Sequence, residues 1–183
     1  MRKVIAAINM TLDGNCDHTA VNADAEIHEH YSELLRNAGI ILYGRITYEL
    51  MEFWPPLVKN PSGDKAMDEF AVIMDKVPKL VFSKTFTTLD WATASLATTD
   101  PAQEVNKLKQ QPGNDIYVGS RSIIIQLLNL NLIDELQLCI HPVIAGKGLQ
   151  LFENANGRKD LTLVKTKAFT AGAMIFYYEP VKP

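Results

Sequence analysis

Three short segments place a glycine or a hydroxyl beside a cation directly after an apolar run. They are Gly44-Arg45-Ile46-Thr47 after "ILY", Ser83-Lys84-Thr85 after "LVF", and Gly119-Ser120-Arg121-Ser122 after "IYV". Glycine lets a backbone approach a ligand closely. Arginine offers a two-pronged contact to phosphate oxygens. A helix N-terminus presents free N–H groups and partial positive charge to an anion. Together the segments point to a site for a polyphosphate ligand such as a dinucleotide. Each one alone is also what an ordinary turn with a capping serine would use. The repetition at three strand ends is what argues for a ligand.

Other chemistries find less support. The GxGxxG fingerprint is absent, so this is not a standard Rossmann site. Ser95, Ser120 and Ser122 lack a GxSxG context, which argues against acyl transfer. His18, His28 and His30 lie near Asp17, Asp24 and Glu26, but His28 and His30 are two apart on a helix and point to different faces. No spacing gathers converging ligands, so no metal is expected. His28 reads either as a helix residue bonded to a neighbour or as a pocket group suited to titration near neutrality. Trp54, before Pro55-Pro56, reads as a pocket wall or as packing.

These residues need elements to hold them. "KVIAAINM" is a buried strand, followed by a turn-rich loop. Asp24 caps a helix, "AEIHEHYSELLRNAG", whose core face is Ile27, Tyr31, Leu34 and Leu35. "IILYG" is a second strand, and "RITYELMEFW" a short helix that Pro55-Pro56 ends. "AMDEFAVIMDKV" has a weaker helical pattern, and "KLVFS" is a third strand. "DPAQEVNKLKQQPG" is a well-marked helix, with Asp100 as cap and Pro112-Gly113 as stop. "IYVG" leads to the helix "SIIIQLLNLN". "DELQLCIHPVI" alternates, with Leu136, Leu138 and Ile140 on one face and Glu135, Gln137, Cys139 and His141 on the other. "LTLVKTKAF" and "AMIFYYEP" suggest a closing hairpin. The pattern predicts one α/β domain over residues 1–183, with a mixed, mostly parallel sheet and an antiparallel edge.

The totals agree. A chain of 183 residues with 47% hydrophobic and 21% charged content fits one globular domain. A net charge of -3 with no basic stripe argues against nucleic-acid binding. Cys16 and Cys139 are too few for a disulfide scaffold and lack zinc spacing. The apolar run at the N-terminus stops at Asn9, too early for a signal peptide, and no run approaches the ~20 residues of a membrane span. A cytoplasmic protein with reduced thiols is expected.

At this point the residues reach a resemblance. "VIAAINMTLDG", "ILYGRITYE", "LVFSK", "IYVGSRSIIIQLL" and "LIDELQLCIHPVIAGKGLQLF" resemble, in order, motifs of the dihydrofolate reductase-like family. The nearer branch is the one related to the C-terminal reductase domain of riboflavin biosynthesis. The resemblance implies a three-layer fold with helices on both sheet faces, NADPH binding, hydride transfer and a homodimer. It implies that Gly44, Arg45, Ile46 and Thr47 meet the adenosine-side phosphates. Ser83 and Lys84 then lie near the 2′-phosphate, and Gly119, Ser120, Arg121 and Ser122 wrap the pyrophosphate. Ala7 offers its backbone to the nicotinamide carboxamide.

One departure bears on the substrate. Dihydrofolate reductases hold the pterin with a carboxylate on the first helix, and here that position falls on His28. Asp24, one turn earlier, and Asp13, in the loop, are the carboxylates that would have to replace it. The expected function is therefore an NADPH-dependent reductase of a small flat heterocycle, not necessarily dihydrofolate, with a proton from water, His28 or Asp24. Trp54 and Asp13 are the expected substrate contacts. Two alternatives stand beside it. One is a relative of the riboflavin-pathway pyrimidine reductase, whose phosphorylated substrate wants a further cation such as Lys147 or Arg158. The other is a non-catalytic dinucleotide-binding protein.

Overall fold

The computed structural model describes residues 1–182. Eight strands form one sheet: β1 (Val4–Thr11), β2 (Ala38–Gly44), β3 (Lys79–Phe82), β4 (Ala94–Leu96), β5 (Asp115–Val118), β6 (Glu135–His141), β7 (Leu161–Ala168) and β8 (Met174–Pro180). Their spatial order is β4-β3-β2-β5-β1-β6-β8-β7. Neighbours from β4 to β6 pair in parallel, while β8 runs antiparallel to both β6 and β7. The expected mixed sheet with an antiparallel edge is thus found.

Six helices cover it: α1 (Ala25–Arg36), α2 (Arg45–Met51), α3 (Trp54–Lys59), α4 (Lys65–Lys76), α5 (Pro101–Gln110) and α6 (Arg121–Asn129). Strands buried on both faces read as unbroken apolar runs, and side chains along them alternate between two cores. Leu42, Val118 and Leu136 pack with Ile124 and Leu127 of α6 and Val105 of α5. Ile41, Tyr43 and Tyr117 pack with Leu35 of α1 and Phe70 and Met74 of α4 on the opposite face. Leu138 and Ile140 join the first core, while Cys139 packs with Ile27 and Phe169 in a third cluster. The alternation read from β6 is therefore correct, and both of its faces are covered.

Two local expectations change. Pro55-Pro56 do not end a helix that begins at Arg45. α2 stops at Met51, and the prolines occupy the first turn of α3. Proline belongs there, because first-turn N–H groups have no partner within the helix. The short strand β4 was not expected, since three residues carry no readable alternation. It is held by Lys79 of β3, whose side chain is buried. Its ammonium donates to the carbonyls of Met74 and Val77 and to Thr93 Oγ1, and lies 3.9 Å from the centre of the Trp91 ring. Burial lowers its pKa to about 8. The lysine joins the end of α4 to the β3–β4 edge. Among the described residues no helix is long and apolar enough to cross a membrane.

Candidate active site

A cleft of about 1540 Å³ opens across the C-terminal ends of β1, β2, β3 and β5. Ligands of open α/β sheets bind at this end of the strands. All three glycine- or hydroxyl-bearing segments line it, and their strands are neighbours in the order β3-β2-β5.

The segment after β5 is fastened to the one after β2. Ser120 Oγ accepts the Gly44 N–H at 3.1 Å and the Thr47 hydroxyl at 3.0 Å. A Cβ at Gly44 would stand 2.8 Å from Ser122 Oγ and 3.1 Å from Ser120 Oγ, so a side chain there would displace these hydroxyls. At Gly119 a Cβ would meet Tyr43 at an ordinary 3.7 Å. Packing does not require that glycine, and the bare backbone faces the cleft. Ser120 has φ -111° and ψ 121°, extended values any residue adopts, and its side chain ties loops rather than reaching for a ligand. α6 begins here with no side chain on its first N–H groups, whereas Asp24, Asp64 and Asp100 cap α1, α4 and α5. The open amides and the bare Gly119 backbone form a cradle that fits phosphate oxygens.

The cations around this cradle differ in how free they are. Arg45 pairs with Glu49 at 2.8 Å. Arg121 donates to the Gln150 carbonyl at 2.8 Å and pairs with Glu153 at 2.9 Å. Lys84 is exposed and has no ion pair among the described residues. The exposed Arg45–Glu49 pair is worth ~0–1 kcal/mol, so a polyphosphate can take over Arg45. Ser83 Oγ accepts the N–H groups of Thr85 and Phe86 at 3.1 and 3.0 Å, shaping the turn that presents Lys84.

β1 opens its backbone to the same space. Its pairing with β5 ends at Ala6 opposite Val118, while its pairing with β6 continues to Thr11 opposite His141. The Lys3 carbonyl receives the Ile116 N–H, so every second residue from Lys3 turns its peptide groups toward β5. Ala7 is one of these, and it stands just past the end of that ladder on the cleft wall.

The other half of the cleft lies under α1, α3 and α4. His28 faces it, packed against Trp54 and Phe70 with ring centres 6.4 and 5.8 Å away. Trp54 and Phe70 are 4.6 Å apart. Among the described residues the His28 imidazole has no hydrogen-bond partner, which leaves both nitrogens to a ligand. His30 turns the other way, as the spacing predicts. It is buried against Phe169, with Nδ1 3.4 Å from Lys167 Nζ, and burial lowers its pKa to about 4.

Neither carboxylate proposed from the sequence lines the cleft. Asp24 accepts the Ile27 N–H at 2.9 Å and is occupied as the cap of α1. Asp13 accepts from Thr11 Oγ1 and from the N–H groups of Ala145 and Gly146. Those bonds, the Thr11 hydroxyl foremost, lower its pKa to about 2. Asp13 thus fastens the β6–β7 connection to the end of β1. Asp13 and Asp24, expected as substrate contact and acid, thus both spend their carboxylates on backbone donors away from the cleft lining. Lys147 and Arg158 also lie outside the cleft.

Other wall residues escaped the sequence reading. Asn9 lines the cleft from β1, and its Oδ1 lies 2.9 Å from His141 Nε2. An amide inside an apolar strand was the available signal. Thr98 and Thr99 follow the unread strand β4, are held by Glu104, and wall the far end beside Lys84.

Comparison with known proteins agrees with this architecture. The model of the RibD C-terminal domain family matches residues 2–175. The uncharacterized protein YyaP of Bacillus subtilis (strain 168) is 33% identical over 181 residues, spanning 97% of this chain and 94% of that one. A putative riboflavin biosynthesis protein from Shewanella sp. PV-4 superposes with a TM-score of 0.73 at 17% identity, covering 100% of both chains. Dihydrofolate reductase from Enterococcus faecalis, complexed with NADP(H), superposes with a TM-score of 0.65 at 10% identity, covering 98% of this chain and 97% of that one. The fold is dihydrofolate reductase-like.

Proposed function

The chain belongs to the RibD C-terminal domain family, and from that premise we propose that it is an NADPH-dependent reductase of a small flat heterocycle. One observation carries the reading: a single cleft joins a three-cation phosphate cradle to a ring-lined pocket, with Ala7, Ile8 and Asn9 of β1 between them. Gly119, Arg121, Arg45 and Lys84 would hold the phosphates of a dinucleotide laid across the strand ends, and Ala7 would offer its backbone to the nicotinamide. The free Lys84 favours a 2′-phosphate, and hence NADPH over NADH.

The bound cofactor supplies a hydride to an electrophilic carbon of the substrate. The chain supplies the rest. Trp54 and Phe70 hold the ring flat and exclude water. Asn9 and His28 present polar atoms to its edge. His28, with both nitrogens free, is placed to hand a proton to the ring as the hydride arrives.

The test is titration calorimetry with NADPH. Charge-assisted hydrogen bonds contribute ~1.5–3 kcal/mol each, so Arg45→Ala with Arg121→Ala is expected to weaken binding by about 100-fold or more. No binding by the parent protein, or equal binding by the double variant, would remove the cofactor from the proposal. NADPH oxidation in the presence of pterins, pyrimidines or quinones tests the reductase activity directly.

A further inference from the structure

The charge distribution within the cleft narrows the substrate. Among its described lining residues the only lysines and arginines are Arg45, Lys84 and Arg121. All three stand at the ends of β2, β3 and β5, on the side where the phosphate cradle lies. α2 separates Arg45 from the ring-lined half. Its seven residues, at 1.5 Å each, span roughly 10 Å.

The ring-lined half holds no lysine or arginine. Its wall is Trp54, Phe70, His28 and Tyr31, and Asn22, shortly before α1, also lines the cleft. The two lysine and arginine candidates for a second phosphate site are elsewhere. Arg158 pairs with Asp160 at 2.8 Å on the surface. Lys147 is exposed in the β6–β7 connection, where its carbonyl accepts from Asn15 Nδ2.

We infer that the substrate is a flat ring compound carrying no phosphate or other anionic group. A phosphate brought under α1 would lose water without gaining a lysine or arginine, at a cost of several kcal/mol. A neutral ring gains stacking on Trp54 and Phe70, with its polar edge met by Asn9 and His28. The phosphorylated ribosyl pyrimidine of riboflavin synthesis does not fit this half. The inference rests on the proposed function, because it assigns the three cations to the cofactor.

The experiment is calorimetry on the full chain saturated with NADP+, using 6-hydroxymethylpterin and its phosphate ester as a matched pair. The neutral pterin is expected to bind at least ten-fold more tightly. Asn22→Lys, an exposed rim position, is expected to narrow that difference by five-fold or more. Equal or tighter binding of the ester by the parent protein overturns the inference, as does binding of neither pterin when NADP+ binds normally. Failure of NADP+ itself to bind identifies the cofactor assignment as the fault and takes both readings down.

Discussion

His141 Nε2 lies 2.9 Å from Asn9 Oδ1, joining the ends of β6 and β1 at the wall of the cleft. An amide oxygen only accepts, so the bond requires the His141 proton on Nε2 and leaves the Asn9 amide N–H groups free for the proposed ring substrate. His141 is buried and touches no ligand; its part is to position Asn9. His141→Leu is expected to lower kcat/KM for the ring substrate about ten-fold, the equivalent of one hydrogen bond. NADPH affinity should stay within two-fold, and His141→Gln should recover part of the loss. Steady-state kinetics alongside calorimetry read both. A parallel fall in NADPH affinity would show a general collapse instead.

The two cleft glycines should separate stability from binding. Gly44→Ala forces its new methyl against Ser122 and Ser120, and overpacking of this kind costs ~1–3 kcal/mol. Gly119→Ala meets only an ordinary contact with Tyr43. It should melt within about two degrees of the parent while binding NADPH at least ten-fold more weakly. Thermal melts and titrations on both variants check this. Strong destabilisation by Gly119→Ala would mean that the glycine serves packing after all.

Removing the buried cation of β3 should be costly. Lys79→Met leaves the Met74 and Val77 carbonyls without their donor and takes the charge off Trp91. Breaking such a buried polar cluster costs ~3–5 kcal/mol. Urea unfolding should show it as a lower midpoint with an unchanged slope. A loss below 1 kcal/mol would make the cluster incidental.

Acid should destabilise the protein through His30. Burial, followed by Lys167 and Lys165, lowers its pKa from 6.5 to about 4, and its Nε2 has no hydrogen-bond partner. Between those two values the unfolded chain binds a proton that the folded chain refuses. The contribution of His30 is therefore fully present above pH 6.5 and lost as pH falls toward 4. His30→Phe should flatten the stability curve over that window, measured by denaturant unfolding from pH 4 to 8. An unchanged slope would exonerate His30.

Much of the fold was legible because its signals are local. β1, β2 and β5 announce themselves as apolar runs, and Asp24 and Asp100 mark helix starts that the structure reproduces. The three glycine- or hydroxyl-bearing segments of the cleft were legible for the same reason: each immediately follows a strand. What stayed hidden depends on distant partners. Nothing near Asp13 in the sequence announces Ala145 and Gly146, which claim its carboxylate. Lys79 looks like a surface charge until α4 and Trp91 close around it. Pro55-Pro56 suit a helix start as well as a stop, and only the end of α2 at Met51 decides between them. Asn9 was visible as an odd polar residue, but its meaning lies in His141, 132 positions away.

The Ser120 hydroxyl bonds both Gly44 and Thr47, and that alters how the protein meets its ligand. Two loops that would otherwise wander separately are welded into one jaw before any ligand arrives. The rotational freedom a flexible loop surrenders on capture has here been surrendered already, when the chain folded. Association then resembles docking into a finished socket. Differences in affinity among variants of this jaw should appear mainly in how long the ligand stays, with little change in how fast it enters.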